Sequence, residues 1–144
     1  MKKKYIICIA SVLFALIVCI WISYRHSKQY VFTYVQNHTD ELTEYEEEII
    51  ETAPNHTLSY EGWDAEFYES TDMVQFMVSG WGLTPSTKYK GFFYSPDDIP
   101  LGFQGTTVEF ESTESGWGWQ EEQGDNCQYI EKITDCWYWF EAEF

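Results

Sequence analysis

Near its start the chain carries an uncharged, mostly apolar run, and it ends in positions that alternate between apolar and polar. From Tyr5 to Ile22 there are 18 residues without a charge. A helix of that length reaches ~27 Å at ~1.5 Å per residue, close to the ~30 Å hydrocarbon core of a bilayer. Trp21 and Tyr24 stand at its outer end, where amphipathic rings favour the membrane interface. The pattern predicts a single-pass transmembrane helix. Three lysines precede it, and only Arg25 and Lys28 follow closely. The positive-inside bias then puts the N-terminus in the cytoplasm and the remainder outside the plasma membrane. A cleaved signal peptide is the competing reading, and it needs a shorter apolar stretch followed by small residues. Here the run ends Ile20-Trp21-Ile22-Ser23, with no Ala-x-Ala, and Val18 is too bulky for a lipoprotein box at Cys19. An uncleaved signal-anchor is expected, and the domain is exported either way.

Between this run and residue 57 the apolar spacing is helical. Thr39-Asp40-Glu41 offers a hydroxyl cap followed by acids suited to a positive helix end. Leu42, Tyr45, Ile49 and Ala53 recur at helical spacing, so the pattern predicts a helix over 39–52, ended by Pro54-Asn55. Val31, Val35, His38, Leu42, Tyr45 and Ile49 extend the seam in steps of four and three. It is too short for a coiled-coil stalk, so packing on the following domain is expected. Residues 30–36 favour strand by propensity.

From residue 57 the period becomes two, with Gly, Pro and Asp punctuation. Strands are predicted at 64–69, 72–79, 87–94, 106–112, 116–121, 127–133 and 136–143. Turns are predicted at Gly80–Pro85 and Ser95–Asp98. The predicted fold is an N-terminal transmembrane helix followed by a mainly β (α+β) domain. That domain is an antiparallel sandwich or barrel of about six to eight short strands with one packed amphipathic helix. The chain divides into a Lys-rich start with anchor and flank at 1–28, a juxtamembrane segment at 29–56 and the β domain at 57–144.

A two-residue loop at Thr134-Asp135 would set the register of the last hairpin, with Ile133 opposite Cys136, Tyr129 opposite Phe140 and Cys127 opposite Ala142. Cys127 and Cys136 then lie ~20 Å apart along the ladder. A disulfide spans at most ~7 Å between Cα atoms, so both are expected as free thiols. In the same register Tyr138, Phe140, Ala142 and Phe144 share a wholly apolar face with Cys136. Trp137 and Trp139 share the other face with Glu141 and Glu143, and have Lys132 and Ile130 as cross-strand neighbours. Two tryptophans on the wetter face form a platform for sugar rings or a partner's apolar patch, or else lie beneath the helix at 39–52 or beside Trp117 and Trp119. Trp137, Trp139, Ile130 and Lys132 are the candidate partner-binding residues.

Charge narrows the partners. The net charge is −16, but residues 29–144 hold all 24 acids against three lysines, a net of −21. Such a surface repels nucleic-acid phosphate and favours a cationic protein, with a glycan on the tryptophans as the other candidate; the membrane is met through residues 5–22. Asp97-Asp98 and the acids of 121–125 match no twelve-residue calcium loop. No metal motif, phosphate loop or nucleophile elbow is present, and no cofactor is implied. Cys127 or Cys136 with His56 is a nucleophile pair on paper only, since both cysteines fit strand positions. Asn37-His-Thr39 and Asn55-His-Thr57 fit glycosylation acceptors in a eukaryotic secretory route. The expectation is a membrane-anchored, extracytoplasmic, non-catalytic binding module. The alternatives are an inhibitor or immunity protein for a basic partner, or a small envelope enzyme with no nominated residues.

Overall fold

A computed structural model describes residues 2–52, 57–83 and 86–144. Three helices come first: α1 (Lys2–Arg25), α2 (Lys28–Asn37) and α3 (Thr39–Thr52). Eight strands follow: β1 (Leu58–Tyr60), β2 (Trp63–Tyr68), β3 (Met73–Leu83), β4 (Ser86–Tyr94), β5 (Glu111–Ser112), β6 (Trp117–Gln120), β7 (Cys127–Thr134) and β8 (Trp137–Glu143). All join one antiparallel sheet in the order β1-β2-β3-β4-β8-β7-β6-β5. It is two four-stranded meanders whose last strands, β4 and β8, pair at the centre.

This corrects the expected sandwich or barrel. The second layers are helices on one face and an irregular segment on the other, because each sheet face needs only one apolar cover. Two helices pack on the domain where one was expected. Val31 and Val35 of α2, with Leu42 and Ile49 of α3, are buried against Trp63, Ala65, Phe76, Phe92, Trp137 and Trp139. The strand propensity of residues 30–36 is overridden. Ser27 caps α2 by accepting the Tyr30 N–H at 3.2 Å, and the four-residue step from Val31 to Val35 lands both side chains on the sheet. Thr39 opens α3 without capping it; its hydroxyl donates back to the Val35 carbonyl at 2.8 Å.

The opposite face lies under residues 95–110. Leu101 and Phe103 pack on Phe93, Ile130, Tyr138, Phe140 and Ala142. Two buried glutamines fasten this cover: Gln128 Oε1 accepts the Phe103 N–H at 2.7 Å, and Gln75 Oε1 accepts the Gln104 N–H at 3.0 Å. Most of the strand expected at 106–112 is therefore cover rather than ladder, and only Glu111 and Ser112 pair. At the sheet centre, Gly91 passes so close to the Phe76 carbonyl and the Phe140 ring that a Cβ would meet both.

The transmembrane anchor is also corrected. α1 forms, but among the described residues no helix is long and apolar enough to cross a membrane. A crossing needs about 20 mainly apolar residues. The turn expected at Gly80–Pro85 is corrected over Gly80–Leu83, which continue β3 paired with β4; Thr84 and Pro85, with Asn55 of the glycosylation acceptor, His56 and the helix stop at Pro54, lie outside the described residues.

Candidate functional site

The last hairpin places the sequence-predicted residues. Thr134 pairs with Trp137, so Asp135 and Cys136 form the turn, with Cys136 at φ 63°. A bulge at Ile133 then shifts the ladder, pairing Lys132 with Tyr138, Ile130 with Phe140 and Glu131 with Trp139. The expected register was one residue out, and a one-residue slip exchanges faces. Ile130 and Lys132 thus lie on the Tyr138 side, away from the tryptophans. Trp137, Trp139 and Ile130 are at most 1 % exposed, roofed by the helices or the 95–110 cover. They offer no surface to a ligand, which corrects the exposed platform. Lys132 reaches the surface but is held by Asp98 at 2.5 Å and Asp135 at 3.3 Å. Cys127 and Cys136 stand at opposite ends of the hairpin as free thiols.

The cations of the domain are all engaged. Lys28 holds Glu131 at 2.5 Å, Lys88 holds Glu143 at 2.5 Å and Lys90 holds Glu141 at 2.9 Å. With Lys132 on Asp98, every lysine from residue 28 onward is tied to a carboxylate. The Lys132 ammonium, the Cys136 N–H and the Tyr138 hydroxyl together hold the Asp98 carboxyl below its usual range. Burial pulls Glu131 upward, but hydrogen bonds from Lys28 and Tyr129 outweigh it and leave that carboxyl lowered.

A concave surface lies at the β5 edge. A groove of about 580 Å³ runs across β5, β6 and the start of β7, with Glu109, Glu111 and Glu122 on its rim and the half-buried Trp119 in its wall. Strand alternation sets this arrangement. Trp119 faces the same way as Gln128, its partner on β7, and β5 pairs through only two residues, which leaves the outer backbone of the sheet open. Among the described residues none of these three glutamates has an ion-pair partner. Cys127 also borders the groove. Burial and the nearby Glu143 push its thiol up, which disfavours the nucleophilic thiolate.

No group of three or more His, Cys, Asp or Glu among the described residues is placed to hold a metal ion. Cys136 is likewise raised, first by burial and then by Asp98. His38 stacks on Tyr34 at 4.2 Å, and its Nδ1 lies 2.8 Å from the Tyr34 carbonyl. From sequence alone Trp119 reads as a cover for the other tryptophans and Glu122 as part of an acid cluster that matches no calcium loop. The readable signal was an indole on an alternating strand flanked by glutamates. Comparison with family models, curated proteins and solved structures finds no match to this chain.

Proposed function

We propose that this chain is a non-catalytic interaction module that takes a cationic protein segment in the groove at the β5 edge and is held at a membrane by α1. One observation carries the first part: a groove lined by Trp119 holds three glutamates without an ion-pair partner, while every lysine from residue 28 onward already has a carboxylate. A lysine- or arginine-rich segment supplies the missing charge, and an indole favours a guanidinium or ammonium over its face.

The second part is supported by α1. Ile9, Val12, Leu13, Phe14, Leu16, Ile17, Ile20 and Trp21 are all more than half exposed, around the whole helix. Burying such side chains in lipid gains roughly 25 cal/mol per Å². Attachment at a lipid surface needs that burial and not a crossing.

The test is titration of the full chain with a lysine-rich peptide at rising ionic strength. Charge-driven binding weakens about tenfold or more as the Debye length shrinks from ~10 Å at 0.1 M to ~3 Å at 1 M. Glu109→Lys with Glu111→Lys removes it, and Trp119→Ala weakens it severalfold. Binding that ignores both salt and these variants overturns the reading.

A further inference from the structure

We propose that the tip of the β3–β4 hairpin is a second lipid contact, set beside the first by the fold; this rests on the membrane attachment by α1 given above. The hairpin outruns β2. β2 pairs with β3 only as far as Asp64 opposite Met77, whereas the β3–β4 ladder continues through Trp81 opposite Lys88 to Leu83 opposite Ser86. On the other side β8 stops at Glu143 opposite Lys88, with Phe144 bonded to Thr87. The β3 side of the hairpin therefore stands clear of the sheet beyond Met77, while its β4 side is flanked by β8 and Phe144 as far as Thr87.

At this tip Trp81 is 65 % and Leu83 87 % exposed. The bulge between Met77 and Ser79 lets Trp81 and Leu83 share the helix-side face with Phe92, Lys90 and Lys88. A protruding Trp and Leu with no core to join are costly in water. Tryptophan is also the residue most at home at the boundary between headgroups and chains.

The fold brings α1 to the same end of the sheet. Arg25, the last residue of α1, donates to the Glu61 carbonyl at 3.2 Å, in the β1–β2 turn. Trp63, which follows that turn, is one step from Asp64 opposite Met77, so the turn is level with the start of the hairpin's free part. Apolar surface on α1 and on the hairpin thus flanks one end of the domain. Charge favours the same orientation. Lys28, Lys88 and Lys90 neutralise Glu131, Glu143 and Glu141 on this face, and Lys88 stands directly across from Trp81. Glu109 and Glu111 of the groove belong to the β5 edge, four strands away in the sheet order from β4, and Glu122 lies in the β6–β7 turn, three strands away.

Trp21 and Trp81 are the exposed tryptophans; the other five are buried or half-buried. This makes the proposal testable on the full chain with phosphatidylcholine vesicles brominated on the acyl chains. Flotation reads attachment, and fluorescence quenching by bromine reads depth. In the Trp21→Phe chain, quenching above the buried background is expected to persist, and in Trp21→Phe/Trp81→Phe it is lost. Leu83→Asp is expected to lower vesicle partition about tenfold. If the chain floats but the single and double variants are quenched alike, the hairpin proposal is overturned and attachment by α1 stands. If the chain does not float, the attachment fails and the hairpin proposal falls with it.

Discussion

Asp98 accepts the hydroxyl of Tyr138 at 2.9 Å through the same oxygen that takes the Cys136 N–H at 2.8 Å. Its other oxygen holds Lys132. One carboxylate in the 95–98 turn therefore pins the 95–110 cover to the β7–β8 turn.

Asp98→Ala is expected to destabilise the domain by about 1–3 kcal/mol, because the buried Tyr138 hydroxyl is left without its acceptor. The half-exposed Lys132 pair adds little of this. The Asp98 pKa is lowered in the folded chain. Its contribution is therefore present above the ordinary carboxylate value, ~3.9, and is lost as pH falls through the lower folded value. Urea denaturation at pH 7 and in acid measures both effects. Equal stability of wild type and variant at pH 7 would refute the pinning role.

Glu46 behaves in the opposite sense. It lies on the sheet side of α3 at 0 % exposure, and neither carboxyl oxygen has a hydrogen-bond partner. Burial, with a smaller contribution from Glu47, pushes its pKa up to about 10. The folded chain therefore keeps this proton between the ordinary value of ~4.3 and about 10, whereas the unfolded chain releases it. The favourable contribution is full below the ordinary value and declines as pH rises, by at most about 1.4 kcal/mol per pH unit. Glu46→Gln should flatten the stability profile between pH 5 and 9 (a window chosen inside those two values). Glu46→Met should raise stability by about 1–3 kcal/mol at neutral pH, since it removes an unpartnered polar group. Parallel pH profiles for wild type and Glu46→Gln would show that this carboxyl is ionised or paired.

The tryptophans divide into two classes. Trp137→Phe and Trp139→Phe should leave acrylamide quenching of the full chain unchanged, whereas Trp21→Phe/Trp81→Phe should remove most of it. Trp139→Ala should cost about 3–5 kcal/mol in denaturant titrations, as a large side chain lost from a core. Strong acrylamide protection on mutating Trp139 alone would restore an exposed platform.

These outcomes bear on what can be read from residues alone. The α3 span and the Val31–Val35–Leu42–Ile49 seam were legible because helical spacing and burial are the same physical fact. β2, β4, β6, β7 and β8 were legible for the same reason at period two; β1 and most of β5 were not, and β3 runs on through the residues expected to turn. The register was not, because a positive φ at Cys136 and a bulge at Ile133 leave no mark on periodicity. Reading Trp137 and Trp139 as wetter-side residues failed for a related reason. Glu141 and Glu143 belong to the uncovered half of their strand, and alternation cannot say where a covering helix stops. The groove was illegible because Glu109, Glu111, Trp119 and Glu122 meet only through β5–β6–β7 pairing. Its electrostatic character depends on which lysines find carboxylates elsewhere.

The central pairing of β4 with β8 sets a timetable for the ribosome. The first meander is synthesised early, yet its inner strand has no neighbour on one side until residues 137–143 emerge. From the completion of β4 at Tyr94 until β8 is made, the nascent chain carries an open, aromatic-rich border, and closure of the sheet comes in one late step that joins both halves.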